Sequence, residues 1–212
     1  MSVFWLKMLA AAAMLADHVG FAFHMDFLRF FGRLSMPLFC FVLALGFCRT
    51  KSRGRYLLRL LVFALLSEVP FNLFIFGRAF DLGRQNMLFT LALALVVLWI
   101  CDKAHKNLLL CAAFLAAGCA LGVFLRLDYG WIAILLTFVF YYFEAKTLLL
   151  LASGALLAVY GGIKGGYYPF ALLALLPVAA YNGQRGPAAK YFFYLFYPLH
   201  MLGLYALRLW LG

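Results

Sequence analysis

The chain consists of apolar runs, each near the length of a membrane span, divided by short charged or Gly/Pro-rich breaks, and this pattern restricts the fold more than any single motif. A helix crossing the hydrocarbon core needs about 20 apolar residues. Cutting the chain at its breaks gives nine candidate spans, roughly 3–24, 29–49, 55–76, 86–101, 107–125, 129–143, 146–162, 167–181 and 190–211. Hydrophobic residues make up 68% of the chain and charged ones 12%, against about a half and a quarter in a soluble domain. A soluble fold has nowhere to put that much apolar surface. The expectation is an all-α, polytopic transmembrane helix bundle, one integral-membrane domain over residues 1–212. It has about nine spans, eight to ten being allowed because several late ones are short. No long linker or internal repeat stands out.

The net charge of +11 does not point to nucleic acid, because the basic residues sit between apolar runs and not in one patch. The densest basic run is RTKSRGR, Arg49 to Arg55. It is expected in the cytoplasm, which puts the N-terminus there too and, with nine spans, the C-terminus outside. Lys103, Lys106, Lys146, Arg185 and Lys190 join the inner side. Arg29, Arg33, Arg78, Arg84, Arg126, Lys164 and Arg208 fall toward the outer side, an excess that points to jobs other than orientation. Asp17 and His18 interrupt the first run, which argues against a cleavable signal peptide. The five cysteines lie in or beside apolar runs without CxxC spacing. They read as small buried hydrophobes, and no metal site is expected.

Ionisable side chains at membrane depth cost about 2.5–3.5 kcal/mol each on insertion scales, so each is a functional candidate. The first span carries Lys7 near its start and Asp17 and His18, within LADHVG, near its end. Eleven residues separate Lys7 from His18, close to three whole turns, so both project from one face about 16 Å apart. That spacing suits an elongated anionic donor, with its phosphates near Lys7 and the basic second loop and its reactive tip at His18. Histidine is the natural general base. Asp17 lies about 100° round the helix and does not face the His18 ring, so a partner on another span, Arg33 among the candidates, is expected. The plainer alternative is an interfacial Asp-His pair in contact with headgroups.

Four further segments stand out. RFFGRLSMPLF, Arg29 to Phe39, puts Arg33 inside the second span beside Pro37, reading either as a broken, functional helix or as a snorkelling arginine at a tolerated kink. SEVPFNLF holds Glu68 among apolar neighbours, as a structural ion pair or an acid-base group. GRQNMLFT places Gln85 and Asn86 at a helix start, either as caps or as donors to a substrate carbonyl. YFFYLFYPLH carries Tyr194, Tyr197, Pro198 and His200 into the last span, either an aromatic interface belt or part of a site. His24 and His105 read as loop or interface residues. There is no P-loop, GxSxG, HExxH or dinucleotide fingerprint.

The pattern KxxAxxxMxxDHxG, formed by Lys7, Ala10, Met14, Asp17, His18 and Gly20, resembles the TraX family. GRLSMPLF, SEVPFN, QNMLFT and KYFFYLFYPLH follow in that family's order, so the resemblance covers essentially the whole chain. TraX is linked to N-terminal acetylation of F-type pilin. The family also looks similar to the acyltransferase-3 and heparan-glucosaminide acetyltransferase groups. The resemblance implies a multi-pass protein of the bacterial cytoplasmic (inner) membrane that transfers acetyl from cytoplasmic acetyl-CoA to an outer acceptor. That acceptor is a peptide amine, a lipid headgroup or a glycan hydroxyl. By motif position His18 is the base, with Asp17, Arg33, Glu68, Gln85 and Asn86 around it, and Tyr197 and His200 at the substrate. Lys7, Arg33, Arg49, Lys51, Arg53 and Arg55 are the expected donor-binding cations. Direct transfer and an acetyl-His18 intermediate both fit. The rival functions are a secondary transporter, which predicts repeat-related halves, and a non-catalytic assembly protein for surface fibres, which gives LADHVG no reason to be polar.

Overall fold

All nine apolar segments form helix in the structure, a computed structural model that describes residues 1–104 and 107–211. His105, expected in a loop, and Lys106, expected on the inner side, lie outside the described residues. The helices are α1 (Val3–Ala22), α2 (Asp26–Gly32), α3 (Ser35–Arg49), α4 (Arg53–Phe76), α5 (Met87–Lys103), α6 (Leu108–Phe124), α7 (Gly130–Tyr142) and α8 (Lys146–Lys164). A 3-10 turn (Tyr168–Ala174), α9 (Leu175–Ala179) and α10 (Lys190–Leu211) complete the chain. Among the described residues, four segments are long and apolar enough to cross a membrane: Val3–Ala22, Asp26–Arg49, Arg53–Phe76 and Lys146–Lys164. The segments expected at 107–125, 129–143 and 167–181 are apolar but shorter, at Leu108–Phe124, Gly130–Tyr142 and Tyr168–Ala179.

Local chemistry sets the helix boundaries. Ser52 accepts from the Arg55 amide at 3.4 Å to start α4, and Gly77, at φ 71°, ends it in the left-handed conformation. Asn86 accepts from the Leu88 amide at 3.1 Å to start α5, and Asn107 accepts from Leu110 at 3.2 Å to start α6. The second apolar segment breaks at Arg33 and Leu34. Pro37 then occupies the first turn of α3, where its missing amide hydrogen leaves no gap in the ladder.

The outward faces are apolar. Leu58, Leu61, Val62, Leu65, Leu66 and Val69 are exposed along α4 at one helical stripe, the surface a bundle presents to lipid. α6 turns the opposite kind of stripe inward: Cys111, Gly118 and Gly122 are its buried residues, and small side chains let it sit close to α5 and α7.

Connections alternate between two ends. At one end Val3 donates its amide to Gln184 at 2.9 Å, Asn182 donates to Met1 at 3.0 Å, and Arg49 donates to the Gly183 carbonyl at 2.8 Å. Arg53 and Tyr141 both bind Asp102 there. At the other end the 77–86 and 125–129 connections are tied together. Gln85 donates to Arg126 and Asp128 donates back to Gln85, both at 3.0 Å, while Thr90 Oγ1 donates to the Asp128 carbonyl at 2.6 Å.

Candidate functional site

The functional candidates are distributed over two cavities, one at each end of α1. The smaller, about 100 Å³, lies at the Asp17 and His18 end and is walled by α1, α2, α4, the 125–129 connection and α10. It takes His18, Asp17, Arg33 and Tyr197 from the sequence candidates and adds Arg29, Arg84, Asp128, Tyr129 and Tyr168.

Close approach of α2 to α1 builds the charged wall. A side chain at Gly32 would overlap Asp17, and one at Gly20 would come within 2.8 Å of the Met25 carbonyl oxygen. The two glycines therefore let the helices meet where Asp17 lies. There the buried Arg33 guanidinium forms an ion pair with Asp17, and Arg29 approaches the same carboxylate at 3.7 Å. Arg33 also lies over the Tyr168 ring at 5.1 Å. Across the cavity Arg84 stands 3.9 Å from Asp128 and over the Phe71 ring. Arg126 and Tyr129 have φ of 53° and 60°, a bend that carries Asp128 and Tyr129 to the cavity wall.

His18 meets a second imidazole. Its Nδ1 lies 2.7 Å from His200 Nε2, and the rings are parallel within 6° with centroids 4.9 Å apart. His200 Nδ1 lies 2.7 Å from the Phe196 carbonyl, one turn back on α10, and its ring stacks on that of Phe196. Phe74 packs against the other ring, with centroids 5.3 Å from His18.

Glu68, Asn86 and Tyr197 hold the helices beneath the cavity. The Asn86 amide nitrogen donates to Glu68 and, at 2.9 Å, to the Ala64 carbonyl. Asn86 thus joins α4 to α5 while capping α5, and Glu68 is bound by an amide rather than by an arginine. The Tyr197 hydroxyl accepts from the Met87 amide at 3.4 Å, joining α10 to the same corner. Gln85 contributes its backbone to the 125–129 connection, and its side chain is not part of the cavity wall.

The larger cavity, about 370 Å³, lies toward the other end of α1. Lys7, Arg49, Arg59 and Arg185 line it together with Tyr56, Tyr194 and Phe193, and no carboxylate does among the described residues. Arg49 donates to the Tyr181 hydroxyl, and Lys7 stands over the Phe193 ring at 5.5 Å. Lys7 and His18 therefore both face α10, one in each cavity. Of the cations described in the basic second loop, Arg49 alone reaches the lining, next to Thr50. Arg53 is held by Asp102 and by the Phe47 ring at 4.2 Å, and Lys51 and Arg55 are exposed. The cavities abut at α5, where Met87 borders one and Leu88 the other, and at α10, where Tyr197 and Tyr194 do the same. The continuous passage that an elongated donor calls for is thus divided in two in this structure.

Sequence reasoning left out Arg59, Asp128, Tyr129, Tyr168 and the His18–His200 contact. The usable signals were weak: RLDYG puts a rare acid between apolar segments, and Arg59 follows Tyr56 by three residues on α4.

No solved structure matches this fold. A probable fimbrial assembly protein FimC, serogroup H1, from Dichelobacter nodosus is 34% identical over 99% of this chain and 97% of its own length. The family described as TraX protein matches residues 2–208. With its motifs in order and its full length covered, the chain belongs to the TraX family.

Proposed function

We propose that this protein is an acetyl-CoA-dependent acyltransferase of the bacterial inner membrane, with its N-terminus and larger cavity toward the cytoplasm. The observation that carries the reading is the division of one helix between two environments. Lys7 stands in a largely apolar cavity whose charged lining, among the described residues, is all cationic, and His18 stands in a polar cavity three turns away. Coenzyme A carries its negative charge on phosphates at one end and its thioester at the other, so the two cavities match its two ends, and its arm must part the residues that divide them, Met87 and Leu88 on α5 and Tyr194 and Tyr197 on α10. Arg49 Nη1 and Arg59 Nε have no hydrogen-bond partner among the described residues, and a phosphate satisfies such donors.

In this reading an acceptor amine or hydroxyl enters the smaller cavity from outside. His18 takes its proton, the freed lone pair attacks the acetyl carbonyl, and the carbon-sulfur bond breaks. The proton then passes to the leaving sulfur, giving an acetylated acceptor and free coenzyme A. Asn86 has both amide hydrogens engaged and Arg33 is held by Asp17, so the Tyr197 hydroxyl and Arg84 are better placed to donate to the oxyanion. The relative named for fimbrial assembly makes a fimbrial subunit the first acceptor to try. The same name supports a second reading, a pilus-assembly protein without transferase activity.

Proteoliposomes separate the two. With acetyl-CoA sealed on the side of the larger cavity and a peptide amine on the other, the acyltransferase acetylates the peptide across the membrane, and His18→Ala does not. Failure of the wild type to transfer acetyl to any amine, hydroxyl or water acceptor favours the assembly reading.

A further inference from the structure

The family resemblance sets His200 at the substrate, and the geometry points to a different role. His200 Nδ1 faces the Phe196 carbonyl at 2.7 Å. A carbonyl only accepts, so His200 Nδ1 carries a proton and, in the neutral ring, Nε2 carries the lone pair. That lone pair faces His18 Nδ1 at 2.7 Å, so His18 Nδ1 must donate. The proton of His18 is thereby fixed on Nδ1, and its lone pair lies on Nε2. The relay runs in one direction, from His18 through His200 to a backbone carbonyl, with every donor meeting an acceptor.

We propose that His200 is the positioning residue for His18, holding it in the Nδ1–H tautomer so that Nε2 is the nitrogen presented to the acceptor. This rests on the acyl-transfer reading for its catalytic meaning. The position that a carboxylate commonly fills behind a catalytic histidine is here filled by a second imidazole. Asp17, adjacent in sequence, is occupied by Arg33 and Arg29. The two imidazoles lie between Phe74 and Phe196, and neither neutral ring brings a charge that needs a counterion. When Nε2 takes the acceptor's proton, the Nδ1–H bond to His200 stays in place and shares the positive charge. The ring does not turn, and Nε2 hands the same proton to the leaving sulfur. Stacking on Phe196 and the contact of His18 with Phe74 hold both rings in register.

The test is the tautomer itself, read by nitrogen-15 NMR of the full chain with labelled histidine, the His18 signals assigned by their loss in His18→Gln. The wild type is expected to show His18 protonated on Nδ1 and bare on Nε2. His200→Gln keeps an acceptor carbonyl and should keep that tautomer. His200→Phe removes it, and His18 should go over to the Nε2–H form. In transfer assays, His200→Phe lowers kcat about 100-fold with KM for acetyl-CoA within about twofold, whereas His200→Gln loses less than about tenfold; a wrong tautomer behind a catalytic base costs up to about 10⁴. A wild-type His18 carrying its proton on Nε2 overturns the proposal, as does a His200→Phe variant with unchanged tautomer and kcat. If His200→Phe does not fold, the wild-type and His200→Gln spectra still decide. The spectrum requires no turnover, so a wild type that transfers no acetyl sinks the acyltransferase reading alone and leaves the relay to be judged on its own.

Discussion

The two cavities handle charge in opposite ways. Around His18 the cations stand beside carboxylates: Arg33 and Arg29 with Asp17, Arg84 near Asp128. In the other cavity four cations, Lys7 among them, line the wall with no carboxylate among the described residues, and Arg49 donates to the neutral oxygens of Tyr181 and Gly183. The first arrangement sets three cations against two carboxylates, so most of its charge is paired within the protein. The second has positive charge that only an anion neutralises. The contrast is one of pairing: charge near His18 ties neighbouring elements together, and charge near Lys7 lines a cavity without a carboxylate among the described residues, which is where the proposed reading puts the donor.

Substitutions can break or sharpen that contrast. The largest effect is expected for His18→Ala, which should cut acetyl transfer by about 10²–10⁴-fold while acetyl-CoA binding by titration stays within about threefold. Next come the paired charges. Asp17→Asn leaves Arg33 buried without its counterion and should lower stability by about 3–5 kcal/mol, read as a large drop in Tm in detergent. The double variant Asp17→Asn, Arg33→Met should recover much of that loss; no recovery would mean that the pair is not the source. Gly32→Ala forces α2 away from Asp17 and should cost about 1–3 kcal/mol, with transfer falling alongside Tm. Arg59→Ala and Arg185→Ala should leave Tm nearly unchanged and weaken acetyl-CoA about tenfold each, roughly 1.4 kcal/mol, with a salt-dependent affinity. Lys51→Ala and Arg55→Ala, exposed and away from both cavities, should change either quantity least, within about 0.5 kcal/mol. Equal losses of affinity across all four basic variants would erase the distinction between lining and loop cations.

Much of the fold was legible because it depends on local composition. All nine apolar segments form helix, and the break in the second falls at Arg33 beside Pro37. Periodicity put Lys7 and His18 on one face, and both face α10. Adjacent-residue geometry sent Asp17 to an arginine elsewhere, and Arg33 is there. Span number was harder to read: α7 has 13 residues, about 20 Å of helix, and hydropathy alone does not tell a short buried helix from a crossing one. The site was legible only in part, because its remaining contacts join residues far apart in the chain. His18 and His200 are 182 residues apart, and no pattern on either helix announces the other. The basic loop is a related case: Arg53 is held by Asp102 on α5, so a dense run of charge in the sequence does not tell which cations line a cavity.

The measurement that tests the central claim most directly is acetyl-CoA binding and single-turnover transfer by the purified protein, with Lys7→Ala set beside His18→Ala. The account predicts a split. Lys7→Ala raises Kd about tenfold and leaves the rate at saturation within about threefold, and His18→Ala leaves Kd alone and abolishes the turnover. A wild type that binds no acetyl-CoA, or two variants that fail in the same quantity, would contradict the division of α1 between a donor cavity and a reaction cavity.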